Sequence, residues 1–171
     1  DMALNMPDIY SSFRAFCLAY QAAGRCGREK GGGDVIIQTY SPEHYVIKHI
    51  ENYDYEAFYA DEIKYREKLD YPPFYQLYGF YFLDEDEEKA YNTAYGFAEQ
   101  VIKSVKAEPC RLFKIYRPSK PMVGFINNKH IFHVIVKTSA EKNIKNIMKI
   151  VYNNIIHKNN IHSFMQKNSG V

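Results

Sequence analysis

The chain has 171 residues, of which 46% are apolar, so it can bury one core and part of another and is not disordered as a whole. It has no run of about 18 apolar residues, and its first residues lack the basic region and the apolar block of a signal peptide. We therefore expect a cytoplasmic protein with neither a membrane span nor a signal peptide. Its three cysteines fit neither a disulfide framework nor paired zinc ligands, and we expect no metal site.

The net charge is only +2, but the two signs are segregated along the chain. Residues 51–90 contain twelve acidic and four basic residues, a net charge of −8, whereas residues 101–171 contain thirteen basic and two acidic residues, a net charge of +11. This asymmetry is typical of a domain that faces nucleic acid on one side. Ordinary solvated lysines explain it equally well, so both interpretations stay open.

Residues 1–42 predict a loop, a helix and a strand. The stretch "SSFRAFCLAYQAAGR" repeats apolar residues every three or four positions, which predicts a helix capped by Ser11 or Ser12. After a glycine turn, the β-branched run at 35–39 predicts a buried strand. Because one helix and one strand cannot cover their own apolar surface, we expect residues 1–42 to be the end of a larger domain.

Residues 43–70 predict a connector of two helices, "EHYVIKHI" and "YDYEAFYADEIKYREKLD". Residues 71–171 then predict a compact α/β domain. Its first strand covers about 75–83, and "DEDEE" caps a helix over about 85–105. Two strands, "RLFKIYR" and "KHIFHVIVK", a helix over about 140–156 and a last strand "NIHSFM" follow. This order predicts the split βαβ of a ferredoxin-like α/β sandwich.

Three polar residues of the first predicted helix share one face. Gln21, Arg25 and Arg28 are four and three positions apart, so their side chains project together, with Gly24 and Gly27 leaving room beside them. The planar, permanently charged guanidinium groups match phosphate oxygens and can stabilise charge on a transferring phosphoryl group. Ordinary capping at a helix C-terminus is the alternative, because glycine and basic residues are also common there.

The stretch "QAAGRCGR" resembles motif VI, Q-x-x-G-R-x-G-R, of superfamily 2 helicases. Its surroundings narrow the match, because "ALNMPDIYSSFRAF" precedes it and "GDVIIQTYSPEH" and "YPPF" follow in register. The whole order resembles the C-terminal part of the primosomal protein N′ (PriA) family, the bacterial replication-restart DNA helicases. The resemblance is strong over residues 1–83 and collinear to about 138.

The resemblance implies that residues 1–42 end the second RecA-like lobe of an ATP-dependent 3′-to-5′ DNA helicase. Gln21, Arg25 and Arg28 would then face ATP bound at the first lobe, with Arg28 and Arg25 as catalytic arginine fingers on the γ-phosphate. The chain contains no G-x-x-x-x-G-K-[ST] phosphate loop and no D-E-x-H magnesium motif. We therefore expect ATP and Mg to be bound mainly by parts outside this chain, and the chain alone to be inactive. The zinc-binding insertion of the family is absent from it.

The family's C-terminal domain implies forked and single-stranded DNA and primosome proteins as partners. Four basic residues near Tyr116 and Phe125 are candidate DNA contacts: Lys114, Arg117, Lys120 and Lys129. Their phosphate contacts would be independent of sequence and sensitive to salt. In the alternative, Tyr116 and Phe125 are core residues and the basic side chains are merely solvated. A stand-alone DNA- or protein-binding module without motor function is the competing interpretation of the whole chain.

Two departures from the family concern partners and metals. Glu141 and Lys145 align where relatives carry an arginine and a glutamine implicated in docking the acidic tail of single-stranded DNA-binding protein. A glutamate repels that tail, so the sequence argues against docking there. The stretch "HIFH" replaces an arginine-bearing stretch, and its His130 and His133 point to opposite faces of a strand without a third ligand.

Overall fold

The computed structural model describes residues 1, 4, 8–26, 34–106, 108, 110–139 and 141–168. The chain forms two compact units, Asp1–Lys68, here called the helical unit, and Leu69–Val171, here called the sheet unit. Each unit has its own cluster of buried apolar side chains. Within the described ranges, no helix is long and apolar enough to cross a membrane.

The described part of the helical unit contains the three helices that the sequence predicts. They are α1 (Ser11–Cys26), α2 (Tyr45–Glu51) and α3 (Tyr55–Lys68). At the start of α2, the imidazole of His44 accepts a hydrogen bond from the backbone N–H of Val46 at 3.3 Å. Burial lowers the pKa of His44, which favours the neutral ring that this accepting role requires.

The core of the helical unit is built around the ring of Phe16 in α1, which is fully buried. It stacks on Phe58 of α3 with ring centroids 3.9 Å apart and an interplanar angle of 2°. The aliphatic part of the cluster comes from α2 and consists of Val46, Ile47 and Ile50. Since α2 and α3 supply apolar partners for α1, the first helix is packed by residues that follow it in the same unit.

The predicted strand at residues 35–39 is wrong. The segment is extended but pairs with no strand in the described part of the chain. Ile36 is 92% exposed, while Ile37 packs partly against the core cluster of the helical unit. A β-branched run meets the local requirement for a strand, but a strand forms only when a neighbour completes its hydrogen-bond ladder.

A buried ion pair links α3 to the turn before α1. Arg66 Nε lies 2.7 Å from Glu62 Oε1, and both side chains are almost completely buried. The hydroxyl of Tyr45 donates to Glu62 Oε2 at 2.7 Å, and the guanidinium of Arg66 also donates to the backbone carbonyl of Ile9 at 3.3 Å. Burial is the main cause of the raised pKa of Tyr45. These hydrogen bonds compensate the two charges for their loss of water.

The described sheet unit alternates strands and helices. Its elements are β1 (Gln76–Asp84), α4 (Glu87–Val105), β2 (Phe113–Ile115), β3 (Phe125–Ile126), β4 (Lys129–Thr138), α5 (Lys142–Asn159) and β5 (His162–Asn168). The predicted order of strand, helix, strand, strand, helix and strand is confirmed. The short β3 is an addition that the sequence did not predict. Asn127 and Asn128 have φ values of 49° and 61°, which suits the two-residue hairpin joining β3 to β4.

Every strand pair in the five-stranded sheet is antiparallel, and the order across it is β2-β4-β1-β5, with β3 pairing to the free end of β4. The mixed α/β class is therefore confirmed. Helix α4 begins at Asp86, whose carboxylate accepts the backbone N–H groups of Glu88 and Lys89 at 2.9 and 3.1 Å. The sequence predicted this cap in "DEDEE".

The two faces of the sheet differ. Helices α4 and α5 pack against one face, here called the core face, and six strand residues contribute to its core: Tyr78, Phe80, Phe82, Phe132, Val134 and Val136. Alternate residues point to the opposite face, here called the open face. Those from the two central strands are Leu77, Gly79, Tyr81, Leu83, Lys129, Ile131, His133, Ile135 and Lys137. Leu77, Ile131 and Lys137 are nevertheless buried, so only part of this face is exposed.

Candidate functional site

Gln21 and Arg25 lie on the solvent side of α1. Both side chains are exposed and four residues apart, so they share one face of the helix. Phe16 and Tyr20 belong to the side that packs against the core cluster of the helical unit. The structure therefore brings together an amide and a guanidinium whose donors point outward and can reach phosphate oxygens. Arg28, the third predicted phosphate contact, lies outside the described residues.

Gly24, between these two side chains, contacts another part of the helical unit. A Cβ atom at this position would lie 2.8 Å from the hydroxyl oxygen of Tyr53. The ring of Tyr53 stacks on Tyr20 with centroids 4.0 Å apart. The prediction left space at Gly24 for a ligand or a facing domain, whereas Tyr53 occupies that space.

The four predicted DNA-contacting residues lie in two places. Alternation and register put Lys114 and Lys129 on the open face, where Lys114 lies opposite Lys137. Lys120 instead forms an ion pair of 2.7 Å with Glu87 near the start of α4, and its Nζ lies 5.6 Å from the ring centroid of Phe132, a core-face residue. The hydrogen bond from Lys120 lowers the pKa of Glu87. Only part of the predicted set therefore shares one surface.

Arg117, the fourth of these residues, is exposed beside Tyr116. Tyr116 and Phe125 are 46% and 53% exposed, which excludes the alternative in which both are core residues. The backbone N–H of Tyr116 donates to Ile135 O at 2.9 Å, so Tyr116 continues the β2-β4 pairing on the open face. An exposed ring next to an exposed guanidinium can contact both a base and a phosphate.

Two lysines at one end of the open face interact with the segment before β1. Lys114 forms an ion pair with Asp70, and the hydrogen bond that it donates to this carboxylate raises the pKa of its ammonium group. Lys137 Nζ donates to Leu69 O at 2.8 Å and lies 4.0 Å from the ring centroid of Tyr71. Burial lowers the pKa of Lys137. Lys137 was not among the predicted residues.

A row of three rings crosses the open face and was also not predicted. In the register of the sheet, Tyr81 of β1 lies opposite His133 of β4 on one side and Phe164 of β5 on the other. The centroids of Tyr81 and Phe164 are 4.4 Å apart with planes at 9°, and those of Tyr81 and His133 are 5.6 Å apart in an edge-to-face contact. Alternation in "QLYGFYFLD" assigns Tyr81 to one face, but its partners depend on register.

His133 is the titratable member of this row. Burial lowers the pKa of its imidazole. Its Nδ1 atom is buried and makes no hydrogen bond to any residue that the structure describes. His130 pairs with Asp84, a position on the opposite face from that of His133. Among the described residues, no three His, Cys, Asp or Glu side chains are grouped so that they could hold a metal ion.

Glu141 and Lys145 lie at the start of α5. Glu141 occupies the N-cap position without a side-chain capping bond, and its Oε1 accepts the backbone N–H of Arg111 at 3.3 Å. A hydrogen bond from Ser139 lowers the pKa of Glu141, so the side chain is a carboxylate at neutral pH. Lys145 is exposed one turn further on.

The chain is similar to proteins of one name. It is 34% identical over 149 residues to replication restart protein PriA of Bacillus subtilis (strain 168), which covers 87% of this chain and 18% of that protein. It is 32% identical over 135 residues to the protein of the same name from Borreliella burgdorferi, and this match covers 79% of this chain and 20% of that protein. It is 42% identical over 95 residues to the protein of the same name from Treponema pallidum (strain Nichols), and this match covers 56% of this chain and 14% of that protein.

The chain spans about a fifth or less of the length of the curated relatives it matches. No protein-family model matches it. A de novo designed protein, Foldit4, matches 57% of the chain with a TM-score of 0.41 and 12% identity. Relatives from Synechocystis and Rickettsia carry the same name as those above at 44% and 26% identity. The chain belongs to the family of replication restart protein PriA.

Proposed function

We propose that this chain is the C-terminal part of an ATP-dependent 3′-to-5′ DNA helicase that restarts stalled replication forks through DNA binding and primosome assembly. The observation that carries the proposal is the outward placement of Gln21 and Arg25 on α1, within the stretch "QAAGRCGR". Membership of the replication restart family supports the biological role. The 3′-to-5′ direction comes from the resemblance alone.

In this proposal the helical unit includes the end of a RecA-like lobe. Gln21 contacts ATP, and Arg25 and Arg28 stabilise negative charge on the γ-phosphate during hydrolysis. The exposed amide and guanidinium on one face of α1 fit a phosphate group, because both present N–H donors and the guanidinium keeps its charge at every physiological pH. ATP, Mg and the family's zinc are held mainly by residues outside this chain.

The sheet unit is proposed to be a ferredoxin-like sandwich that holds DNA. Its strand order, with α4 and α5 on one face, supports this assignment. Arg117 and Lys129 contact phosphates, and Lys114 and Lys120 contribute after exchanging Asp70 and Glu87, respectively, for a phosphate. Single-stranded DNA-binding protein is a weaker candidate partner, because the ionised Glu141 would repel an acidic tail at the start of α5.

The motor role is tested by alanine substitution in the complete protein of which this chain is proposed to be part. We expect both Arg28→Ala and Arg25→Ala to reduce DNA-stimulated ATP hydrolysis, and the variant that removes the principal finger to reduce it by at least about 10³-fold. The DNA affinity of both variants should be nearly unchanged. Arg14→Ala is the matched control. It is on the same side of α1, roughly 16 Å away along the helix axis, and its exposed side chain pairs with Asp8.

Hydrolysis at near wild-type rate in both finger variants would show that the arginines do not act on ATP. The competing binding module would then remain, because it requires only DNA or protein binding by the sheet unit. Equal losses in Arg14→Ala and Arg25→Ala would point to a general defect in α1. The 171-residue chain alone is expected to hydrolyse no ATP, since it contains no phosphate loop.

DNA binding is measured separately by titrating the chain with forked DNA at several salt concentrations. Each lysine or arginine that neutralises a phosphate contributes about 0.9 to the slope of log affinity against log salt concentration. Arg117→Ala and Lys129→Ala should each lower that slope by nearly this amount. Lys64→Ala is the control, because Lys64 is exposed on α3 and pairs with Asp61. A slope that does not change in any variant would contradict the assignment.

A further inference from the structure

The open face of the sheet presents aromatic rings that contribute little to either core. Phe164 is 49% exposed, and Tyr116, which directly follows the other edge strand β2, is 46% exposed. Tyr81 and His133 lie between these edges on the central strands. Phe113 and Ile115 are the neighbours of Tyr116 on β2 that pack towards the core. The exposed rings therefore need another explanation than core packing.

Gly79 fixes the position of the central ring. A Cβ atom at Gly79 would lie 2.9 Å from Cε2 of Tyr81, so the tyrosine ring leans over the backbone of Gly79. One face of this ring stacks on Phe164, and the outer face of Phe164 is the exposed end of the stack. With neighbouring strands about 4.8 Å apart, Phe164 and Tyr116 are separated by three strand spacings, or roughly 14 Å across the sheet.

The charge of the open face complements a phosphate chain. Three lysines occupy open-face positions in β2 and β4, namely Lys114, Lys129 and Lys137. Lys137 is buried and donates to Leu69 O, so Lys114 and Lys129 are the cations that can reach a phosphate. The described open-face positions of the five strands contain no Asp or Glu. Asp70, which pairs with Lys114, precedes β1 and is not part of a strand. Cations beside exposed rings are the combination that binds single-stranded nucleic acid, because bases stack while phosphates contact the cations.

We propose that the open face binds single-stranded DNA, with one base stacked on Phe164 and another on Tyr116. A duplex does not fit this chemistry, because the faces of its bases are already stacked on one another. The choice of DNA over RNA rests on the proposed function. This site shares Lys114 and Lys129 with the phosphate contacts proposed above, but it adds aromatic stacking and excludes Lys120, which lies by the core face.

Tryptophan substitution reports the stacking directly, because the natural chain contains no tryptophan. The probe is a single-stranded oligothymidylate of about twelve nucleotides, and the protein is the whole chain carrying Phe164→Trp. We expect its tryptophan emission to fall on binding, as a base stacks on the indole. Met165→Trp is the matched control, because Met165 is the next residue of β5, is 41% exposed and lies opposite Phe80 of the core face. Its emission should change little.

Affinity provides the second measurement. Removing one stacked base costs roughly 5- to 150-fold in affinity, so Phe164→Ala and Tyr116→Ala should each weaken oligothymidylate binding within this range. Met165→Ala should leave the affinity within about twofold. Thermal unfolding of each variant distinguishes weak binding from loss of the fold. A Phe164→Leu variant keeps an apolar side chain without a π face, and we expect it to bind nearly as weakly as Phe164→Ala.

Three results would overturn the proposal. The first is oligothymidylate binding that quenches Phe164→Trp and Met165→Trp equally or not at all. The second is tighter binding of duplex DNA or of oligouridylate than of oligothymidylate, which would assign the face to another nucleic acid. The third is no binding at low salt. ATP hydrolysis has no part in these measurements, and forked-DNA binding with its salt slope is measured separately. Failure of this site is therefore distinguishable from failure of the arginine fingers and of the phosphate contacts.

Discussion

Replacement of Phe16 by alanine is the sharpest test of how α1 is held. The ring is fully buried, stacks on Phe58 at 3.9 Å, and lies 5.3 Å from the ring of Tyr20 and 6.0 Å from that of Tyr55. These partners all belong to the helical unit. The substitution therefore removes the centre of an aromatic cluster and leaves a cavity that rigid neighbouring rings cannot readily fill.

The expected cost combines several contributions. Losing the burial of a phenylalanine side chain costs about 1.5–3 kcal/mol, and losing the stacked pair with Phe58 costs about 0.5–1.5 kcal/mol. With a cavity term added, Phe16→Ala should lower the free energy of unfolding of the helical unit by about 3–5 kcal/mol. Phe16→Leu keeps most of the volume and should cost about 1.5 kcal/mol or less.

Hydrogen exchange followed by mass spectrometry measures this effect separately in each part of the chain. Peptides from α1, α2 and α3 should lose protection in Phe16→Ala, whereas peptides from β1 should not, because the two units have separate cores. Leu18→Ala is the control, since Leu18 is in the same helix but is 64% exposed. Its effect should stay within about 0.5 kcal/mol.

Equal loss of α1 protection in Phe16→Ala and Leu18→Ala would show that the buried ring does not hold α1. Loss of protection mainly in β1 would show that Phe16 does not act within the helical unit. If Phe16→Ala unfolds the helical unit completely, the milder Phe16→Leu still provides a measurable difference. A cost above about 2 kcal/mol for Phe16→Leu would show that stacking matters more than volume.

Three further substitutions test other contacts. Arg66→Leu leaves the buried Glu62 carboxylate without its guanidinium and should lower the free energy of unfolding by about 3–5 kcal/mol, measured by denaturant unfolding. The double variant Glu62→Leu/Arg66→Leu should cost less than the sum of the two single substitutions, and additive costs would contradict the coupling of the pair. Burial lowers the pKa of His133 from 6.5, so between the lowered pKa and pH 6.5 the unfolded state binds more protons than the folded state. The contribution of His133 to the stability of the sheet unit should therefore be complete above pH 6.5 and should be lost as the pH falls through this window. His133→Gln should reduce this slope in thermal midpoints, and an unchanged slope would exclude the histidine as its source. Gly24→Ala should stabilise α1 by about 0.5–1 kcal/mol only in the presence of Tyr53→Phe, which removes the hydroxyl that would lie 2.8 Å from the new Cβ atom. Equal effects of Gly24→Ala with and without Tyr53→Phe would disprove this clash.

The sequence predicted the elements of the sheet unit because their patterns are local. A run of aromatic residues predicted β1, "KHIFHVIVK" predicted β4, and the acidic stretch "DEDEE" predicted the start of α4, and each of these signals lies within or beside its own element. The N-terminal signal of α4 was equally local, because Asp86 caps backbone groups only two and three residues away. Boundaries differed from the prediction by one to three residues at most ends of these elements.

The failures arose where structure depends on partners that are distant in sequence. The run at 35–39 has strand-forming residues but no described strand beside it. In the candidate site, the motif located Gln21 and Arg25 because their spacing along one helix fixes their common side. The row formed by Tyr81, His133 and Phe164 could not be predicted, because it comes from the register of three strands.

That same register makes the spacing of the open-face row a by-product of core packing. A slip of one residue between β1 and β4 would turn either Phe80 or Val134 out of the core, so the packing that buries both also keeps Tyr81 opposite His133. The row needs no stabilising energy of its own. Its side chains can consequently be exchanged for others without moving the strands. These positions therefore offer fixed, regularly spaced sites at which new binding surfaces can be designed on this sheet.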